Sequence, residues 1–564
     1  MDSSVRDSDK FDYCDNVMND NCLNVTEWLY ELHDDPDFEF LSQGLIEGFN
    51  LVDENVMPMP VECNNYVSAT DVSVREAVEA QILNEIANNN YVICNKRPTI
   101  VSALGAIPKA NSNDIRLIHD CSRPVGTGLN DFATKCSVKY QTIDEAVTLS
   151  TPNCFYAKVD LKSAYRSVNI HPDNYKLTGL KWVFKGESEP TYIYDKRLPF
   201  GARKSPAIFH RLTQAIRRMM GKKGHHNIIV YLDDFLVVAP TKQECSNSMN
   251  VLISLLRKLG LAINWKKVDD PCNIITFLGI QLNSVNLSLS LPEPKLMELK
   301  HLLDSFKSKV RASKKQLQSL AGKLNWACRV VRGGRVYLRR VLNLMNLLNL
   351  SHHKTKLSVS FLDDIDWWIE CLDTFNGKCM FNNSYHPELV HVDACTVGAG
   401  MAFASDWAYV NWDLDWPEVA SLHINFKEVL AIVHAAQRWG HLWSNKRIII
   451  LTDSECAKAI IMKGTTRNDL IMKYLRQLFW VSVQFNFELE CIHISGVNNK
   501  LPDTISRLHE KGQFFQLESL LHHFYGDGLH PLALRAHMSS KAIYFLILQI
   551  RSWLLKKLSW IGMW

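Results

Sequence analysis

The sequence has no apolar run approaching the length of a membrane span, so a membrane partner is not expected. Its late apolar stretch, Ala542 to Leu548, is short and is followed by Arg551, Lys556 and Lys557, which suits a packing helix. It lacks any C-x-x-C pair, and no cysteine joins histidines at zinc-binding spacing, although there are 15 cysteines from Cys14 to Cys491. An odd cysteine count without a framework argues against a disulfide-stapled secreted domain. A reducing compartment, cytoplasmic or nuclear, is expected. The first residues are acidic and polar, unlike a secretory leader. No internal repeat is present.

What is present is a globular composition, 47% hydrophobic and 22% charged, on 564 residues, enough for several domains. The net charge of +4 hides a split. Residues 1–60 carry 15 acids and 2 bases, and the remainder carries 44 acids and 61 bases. A basic body suggests a polyanionic partner, and residues 1–65 read as an acidic leader of low order. Asp71 opens a helical pattern that Asn88, Asn89 and Asn90 end. Mixed helix and strand patterning continues to about Leu291, where Pro292-Glu293-Pro294 marks a boundary. A mostly helical stretch follows to about Phe375, with Ser313 and Gln316 spaced as a capping box. Strands and helices resume at Leu389 and run to about Leu508.

The densest chemistry lies in Ile228 to Ala239, where apolar residues flank Tyr231-Leu232-Asp233-Asp234. The pattern predicts a β-hairpin with two acids at its tip. Adjacent carboxylates beside buried strands are costly without a cation, and a hard divalent ion bound through oxygen answers that cost. Asp160 ends another apolar run, Phe155 to Val159, and would supply a third carboxylate. Taken singly, Asp160 also suits a helix cap and Asp233 a turn.

The ordered set around these acids resembles the reverse transcriptases. Asp160-Leu161-Lys162-Ser163-Ala164-Tyr165 is similar to their first palm motif. Leu198 to Phe209 is similar to the motif that supports template and nucleotide, and Tyr231 to Asp234 to the metal-binding hairpin. Asn264-Trp265-Lys266-Lys267 and Phe277-Leu278-Gly279-Ile280 resemble the two palm motifs that follow. The resemblance implies two Mg²⁺ ions, with Mn²⁺ as the alternative ion, on Asp160, Asp233 and Asp234. It implies that Lys109, Arg116 and Lys267 meet the nucleotide or its triphosphate, and that Tyr165 sits beneath the sugar. Phe200 would pack there, and Gly201 would let backbone approach the nucleotide. Lys109 and Arg116 also suit solvated surface, and Tyr165 also suits core packing.

A second ordered set resembles the ribonuclease H fold. Asp393 ends the strand-like run Leu389 to Val392, Glu428 lies on the helix Phe426 to Trp439, and Asp453 ends the run Ile448 to Thr452. Asp503 precedes Thr504-Ile505-Ser506-Arg507. The resemblance makes these four the ligands of a second two-metal site that hydrolyses the RNA strand of a hybrid. His493-Ile494-Ser495-Gly496 through Asn499 to Asp503 is similar to the retrotransposon form of the last motif, with Pro502 where a small residue is usual. His493 reads as a strand residue.

Lys307, Lys309, Arg311, Lys314, Lys315, Lys323, Arg329, Arg332, Arg335, Arg339 and Arg340 crowd the helical stretch with few acids between them, which suits phosphate contacts to a duplex. The fold implied is multidomain α/β: an acidic leader over 1–65, right-hand polymerase fingers and palm over 66–291, a helical thumb or connection over 292–385, a ribonuclease H-like domain over 386–510, and a tail over 511–564. The activity implied is an RNA-directed DNA polymerase with ribonuclease H activity. Its partners would be RNA template, DNA primer, RNA–DNA hybrid and dNTPs. Arg116 to Pro124, Leu129-Asn130-Asp131 and Leu324 to Arg329 resemble retrotransposons of the DIRS type, which pair this enzyme with a tyrosine recombinase. No protease motif, zinc knuckle or complete integrase appears, so a recombinase or integrase function is expected from another chain. Two other readings stand beside this one. One is a host-retained nucleic-acid-binding protein without catalysis, which the intact acids oppose. The other is a DNA-templated polymerase, which the second acid set opposes.

Overall fold

The computed structural model describes residues 23–53, 58–108, 115–331, 333–375, 378–380 and 387–510, with 513, 516, 517 and 520. The chain divides into two compact units, Met1–Ile275 and Thr276–Trp564. Each mixes helices and sheet, so the protein is multidomain α/β, as the sequence predicts. The division falls ahead of Pro292, because the hairpin strands β7 (Ile280–Asn283) and β8 (Ser288–Ser290) pair within the second unit.

In the first unit, helices α1 (Val25–Leu32) and α2 (Phe38–Glu47) come before α3 (Val72–Ala87). Asp71 caps α3 by accepting from the Ser73 amide, and the helix stops ahead of the asparagine run. Strands β1 (Ala103–Pro108) and β2 (Ile115–Asp120) form an antiparallel pair. The palm is a four-stranded antiparallel sheet in the order β6-β3-β5-β4: Asp269–Cys272, Phe155–Asp160, Asp234–Ala239 and Ile228–Tyr231. Helices α4 (Ser205–Lys222) and α5 (Lys242–Lys258) bury apolar faces in the same core. Both palm faces are hidden at the centre, which is why β4 and β5 read as continuous apolar runs rather than alternating ones.

The acidic leader departs from expectation. Residues 23–53 are folded, and Trp28, Leu32, Leu41, Leu45 and Phe49 are buried in the palm core. The Trp28 indole donates to the Leu259 carbonyl at 3.0 Å. Its acids pair with bases far along the chain: Asp35 with Arg218 at 2.7 Å, Glu31 with Lys223 at 2.9 Å, and Asp37 with Arg211. Composition averaged over 1–65 hid two short amphipathic helices, Trp28/Leu32 and Leu41/Leu45, each with apolar residues four apart. Residues 1–22 and most of 511–564 lie outside the described residues.

In the second unit, α6 (Glu293–Lys307), α7 (Lys314–Ala327), α8 (Gly334–Asn346) and α9 (Val359–Phe375) form the helical stretch. Ser313 and Gln316 make the capping box that opens α7. A two-stranded ribbon pairs β9 (Arg311–Ser313), just ahead of α7, with β10 (Lys354–Lys356), just ahead of α9. The scarcity of acids between Lys307 and Arg340 is a property of sequence and not of space. Lys307 meets Asp366 at 3.4 Å, Lys323 meets Glu298 at 2.7 Å, and Arg340 meets Asp364 at 2.6 Å. Arg332 lies outside the described residues.

A five-stranded sheet follows in the order β13-β12-β11-β14-β15: Asp406–Asn411, Gly398–Phe403, Glu388–Ala394, Arg447–Thr452 and Glu488–His493. The first three strands are antiparallel and the last three parallel. Helices α10 (Ile424–Trp439), α11 (Glu455–Lys463) and α12 (Asp469–Phe485) connect and follow the strands. Helix α13 (Lys500–Ser506) lies close on β12. A Cβ on Gly400 would run into the Pro502 carbonyl, and one on Gly398 into the Ser506 carbonyl, so both glycines are needed for that approach.

Candidate active sites

In the palm, β3 and β5 run antiparallel with Asp160 directly opposite Asp234. Tyr231 pairs with Asp234, leaving Leu232-Asp233 as a two-residue turn. Leu232 has φ +53°, a region that costs a non-glycine residue about 1–3 kcal/mol and persists where surrounding structure enforces it. Here the Asp233 carbonyl accepts from the Leu161 amide at 3.0 Å, tying the turn to the end of β3. The fold therefore brings Asp160 to an adjacent acid pair more than 70 positions further along the sequence.

Asp160 is buried and held from one side. Its Oδ1 accepts from Asn264 Nδ2 at 2.9 Å, and its Oδ2 lies 3.1 Å from Lys267 Nζ. Burial, then the like charges of Asp233 and Asp160, pushes Asp234 up to about 7, and burial also raises Asp233. Asp160 and Asp233 line a cleft of about 570 Å³ together with Arg116, Tyr165, Phe200 and Lys267. Tyr165 stacks on Phe200 with ring centroids 5.0 Å apart, and the Arg116 guanidinium sits 5.8 Å from the Phe200 centroid. Gly201 has φ +136°, and a Cβ there would strike the His119 carbonyl on β2, so the close approach it allows is to the protein's own backbone. Asn130 fixes this corner, donating to the Gly201 carbonyl at 2.9 Å and accepting from the Arg203 amide at 2.6 Å. Lys109 lies outside the described residues.

In the second unit, Asp393 lies within β11 opposite Gly400, one residue before the strand ends. Glu428 points from α10, and Asp453 follows β14. Ligand atoms of these three lie within 4.8 Å of one another. Burial is the main cause that lifts Asp393 to about 7 and Glu428 to about 9, with like charge adding to both. Glu428 Oε2 is buried without a hydrogen-bond partner. An orphaned buried carboxylate oxygen in an all-oxygen trio suits a hard divalent cation and leaves nothing for a soft-metal site. Asp503 stands outside this trio. Its Oδ1 is 2.8 Å from Arg507 Nε, although Asp393 feels its charge. His493 ends β15, 3.1 Å from the Asp453 carbonyl and 3.5 Å from Glu455, a strand residue as expected.

Several supporting residues carried no role in the sequence reading. The Ser506 hydroxyl holds one proton between Asp393 Oδ2 and the Asp503 carbonyl, each 2.8 Å away. Asn499 is buried and donates to the Val392 carbonyl at 2.9 Å, next to Asp393. Lys427, also buried, donates to the Thr396 and Ala420 carbonyls at 2.5 and 2.6 Å, fixing the turn after β11. Ser506 stands three residues after Asp503, which puts both on one helix face, a signal legible in sequence. Nothing in sequence separates Lys427 from a solvated lysine.

Residues 107–282 match the family model described as reverse transcriptase (RNA-dependent DNA polymerase). A putative enzymatic polyprotein of Cassava vein mosaic virus is 24% identical over 382 residues, which is 63% of this chain and 52% of that protein. The chain thus spans about half the length of that relative. Among solved structures, a foamy viral protease-reverse transcriptase in complex with dsDNA superposes with a TM-score of 0.50 at 15% identity, covering 84% of this chain and 98% of that one. The same protein in complex with RNA/DNA hybrid gives 0.50 at 14% identity, covering 83% and 63%. Matched by sequence over the palm and by fold over most of its length, the chain carries a reverse transcriptase domain of the kind found in retroelement and retroviral polyproteins.

Proposed function

We propose that this protein is an RNA-directed DNA polymerase with ribonuclease H activity from a retrotransposon, nearest in its motifs to the DIRS type. The observation that carries the reading is the register of β3 against β5, which sets Asp160 of the cleft opposite Asp234 within the matched family segment. In this reading residues 66–291 are fingers and palm, with α1 and α2 built into the palm. Residues 292–385 are thumb and connection, and 386–510 the ribonuclease H-like domain.

Asp160, Asp233 and Asp234 would hold two Mg²⁺, or Mn²⁺, which supply Lewis acidity to the primer 3′-hydroxyl and neutralise triphosphate charge. The protein's own part is positioning. Asn264 and Lys267 fix the Asp160 carboxylate, and Lys267 and Arg116 bring positive charge to the cleft for a dNTP. The stacked Tyr165 and Phe200 make a flat apolar floor against which a sugar packs. Asp393, Glu428, Asp453 and Asp503 would hold the cations of the hydrolytic site, where Ser506 holds the Asp393 carboxylate and Asn499 the backbone carbonyl just before it. No described helix is long and apolar enough to cross a membrane.

The test is primer extension on poly(rA)/oligo(dT) with Mg²⁺, comparing the wild type with Asp233→Asn, alongside cleavage of a labelled RNA–DNA hybrid. Extension by the wild type alone supports the polymerase reading. Hybrid binding without extension or cleavage overturns it in favour of a catalytically silent, host-retained binding protein.

A further inference from the structure

Tyr165 and its neighbour Arg166 sit on one short turn, Ala164–Ser167, which Ser163 opens in a left-handed conformation with φ +51°. A non-glycine residue keeps such a conformation where surrounding contacts hold it. The turn's internal backbone bonds are local, from the Arg166 amide to the Ser163 carbonyl at 2.8 Å and from the Val168 amide to the Tyr165 carbonyl at 3.3 Å. Side chains therefore fix where the turn sits. Tyr165 packs on Phe200 and Phe209, with ring centroids 5.0 and 5.3 Å away. Arg166 is buried and reaches two other elements. Its Nη1 and Nη2 donate to the two carboxylate oxygens of Asp195 at 2.8 and 3.0 Å, and its Nε donates to Glu85 Oε2 on α3 at 3.0 Å. The guanidinium also lies 5.3 Å from the Tyr91 ring centroid. Both acids are themselves held: Asp195, at the end of the strand Thr191–Asp195, accepts from the Arg197 amide at 2.9 Å, and Glu85 accepts from Asn90 Nδ2 at 2.8 Å. Two carboxylates around one guanidinium leave a net negative charge away from water. Removing such ions from water often costs more than packing apolar groups of the same volume, so the cluster is poorly explained by stability. It lines the same cleft as Tyr165 and Phe200, where a rigid fork fixes position.

Resting on the polymerase reading above, we infer that Arg166 is a positioning residue for sugar selection. Clamped between Asp195 and Glu85, it holds the Tyr165 ring at the depth where a 2′-deoxy sugar packs and a ribose does not. Stacked ring faces offer a 2′-hydroxyl no strong hydrogen-bond partner, so its rejection depends on how closely ring and sugar approach. A misplacement of about 1 Å at such a contact changes rates by about a hundredfold. Lysine keeps the positive charge but has no planar fork and cannot hold both acids in one plane. Arg166→Lys therefore separates position from charge.

The experiment measures kcat/KM for dCTP and for CTP opposite a templating G, on an RNA template with a DNA primer and Mg²⁺, using one preparation of each full-chain variant. The ratio of the two values does not depend on the fraction of folded enzyme. Arg166→Lys is expected to lower the preference for dCTP at least about tenfold, chiefly by raising kcat/KM for CTP. In a Tyr165→Val background the same change should move the ratio by no more than about twofold, because Arg166 acts through that ring. A second variant, Glu85→Gln with Arg166→Met and Asp195→Asn, leaves no charge of the cluster unpaired and should show the same loss of preference. The control is Arg218→Lys, in a bidentate pair with Asp35 at 2.7 Å that does not line the cleft, and it should keep the wild-type ratio. Equal losses for both nucleotides, an unchanged ratio in Arg166→Lys, an equal shift in Arg218→Lys, or the full shift in the Tyr165→Val background overturns the proposal. Failure of both Arg166 variants to fold assigns the cluster to the core and overturns it as well. A wild type that incorporates neither nucleotide overturns the polymerase reading with it; a wild type that incorporates both equally overturns only the role of Arg166.

Discussion

Replacing Glu428 with glutamine separates folding from metal binding in the second unit. Burial and the charges of Asp393 and Asp453 put Glu428 at about 9, so ionising it at pH 7 costs about 2.7 kcal/mol without a cation. Metal-free Glu428 is therefore protonated at pH 7, and glutamine matches that form in shape. Glu428→Gln is expected to leave the metal-free stability within about 1 kcal/mol of wild type. The wild type should gain about 2.7 kcal/mol in Mg²⁺ at a hundredfold excess over Kd, and the variant should not. For a unit of this size that gain is a rise of roughly 5–10 °C in melting temperature. A carboxyl whose folded pKa is raised holds its proton more tightly folded than unfolded. Metal-free stability consequently falls as pH climbs from about 4.5 toward about 9, and Mg²⁺ reverses the fall. Because Asp393 titrates near 7 and Glu428 near 9, Mg²⁺ binding at pH 7 should release roughly one to two protons. Differential scanning fluorimetry at several pH values reads the first effect, and calorimetry in buffers of different ionisation enthalpy counts the protons. A Glu428→Gln protein that keeps the full Mg²⁺ shift, or binding heats independent of the buffer, would refute the reasoning.

Ser506→Ala removes the hydroxyl that orients Asp393 and should weaken Mn²⁺ binding at that site about 10–100-fold, measured by titration with a melting curve as the folding control. An affinity equal to wild type would leave Ser506 a packing residue. Trp28→Ala empties a fully buried indole site in the palm core and should cost about 3–5 kcal/mol by urea denaturation of the first unit. A loss below about 1 kcal/mol would show that the acidic segment is not part of that core. Gly201→Ala meets both a left-handed φ and the His119 carbonyl, and should cost at least about 1–3 kcal/mol in the same assay, with Ala202→Gly as the mild comparison.

Sequence alone determined the elements and their chemistry wherever the signal is local. The paired acids between apolar runs specify a hairpin, since a short polar turn there lets both runs stay buried. The Asp71 and Ser313 caps, the asparagine run after Ala87 and the apolar strands before Asp160 and Asp453 act within a few residues, so they are legible without a fold. Tertiary structure decided what depends on distance. It set Asp160 against Asp234, brought Asp393, Glu428 and Asp453 within 4.8 Å while Asp503 paired with Arg507, and gave Lys307, Lys323 and Arg340 acids that the linear sequence keeps far away. It also turned the acidic stretch at 23–53 into part of the palm core, because Coulomb attraction and burial act through space and composition averages along the chain.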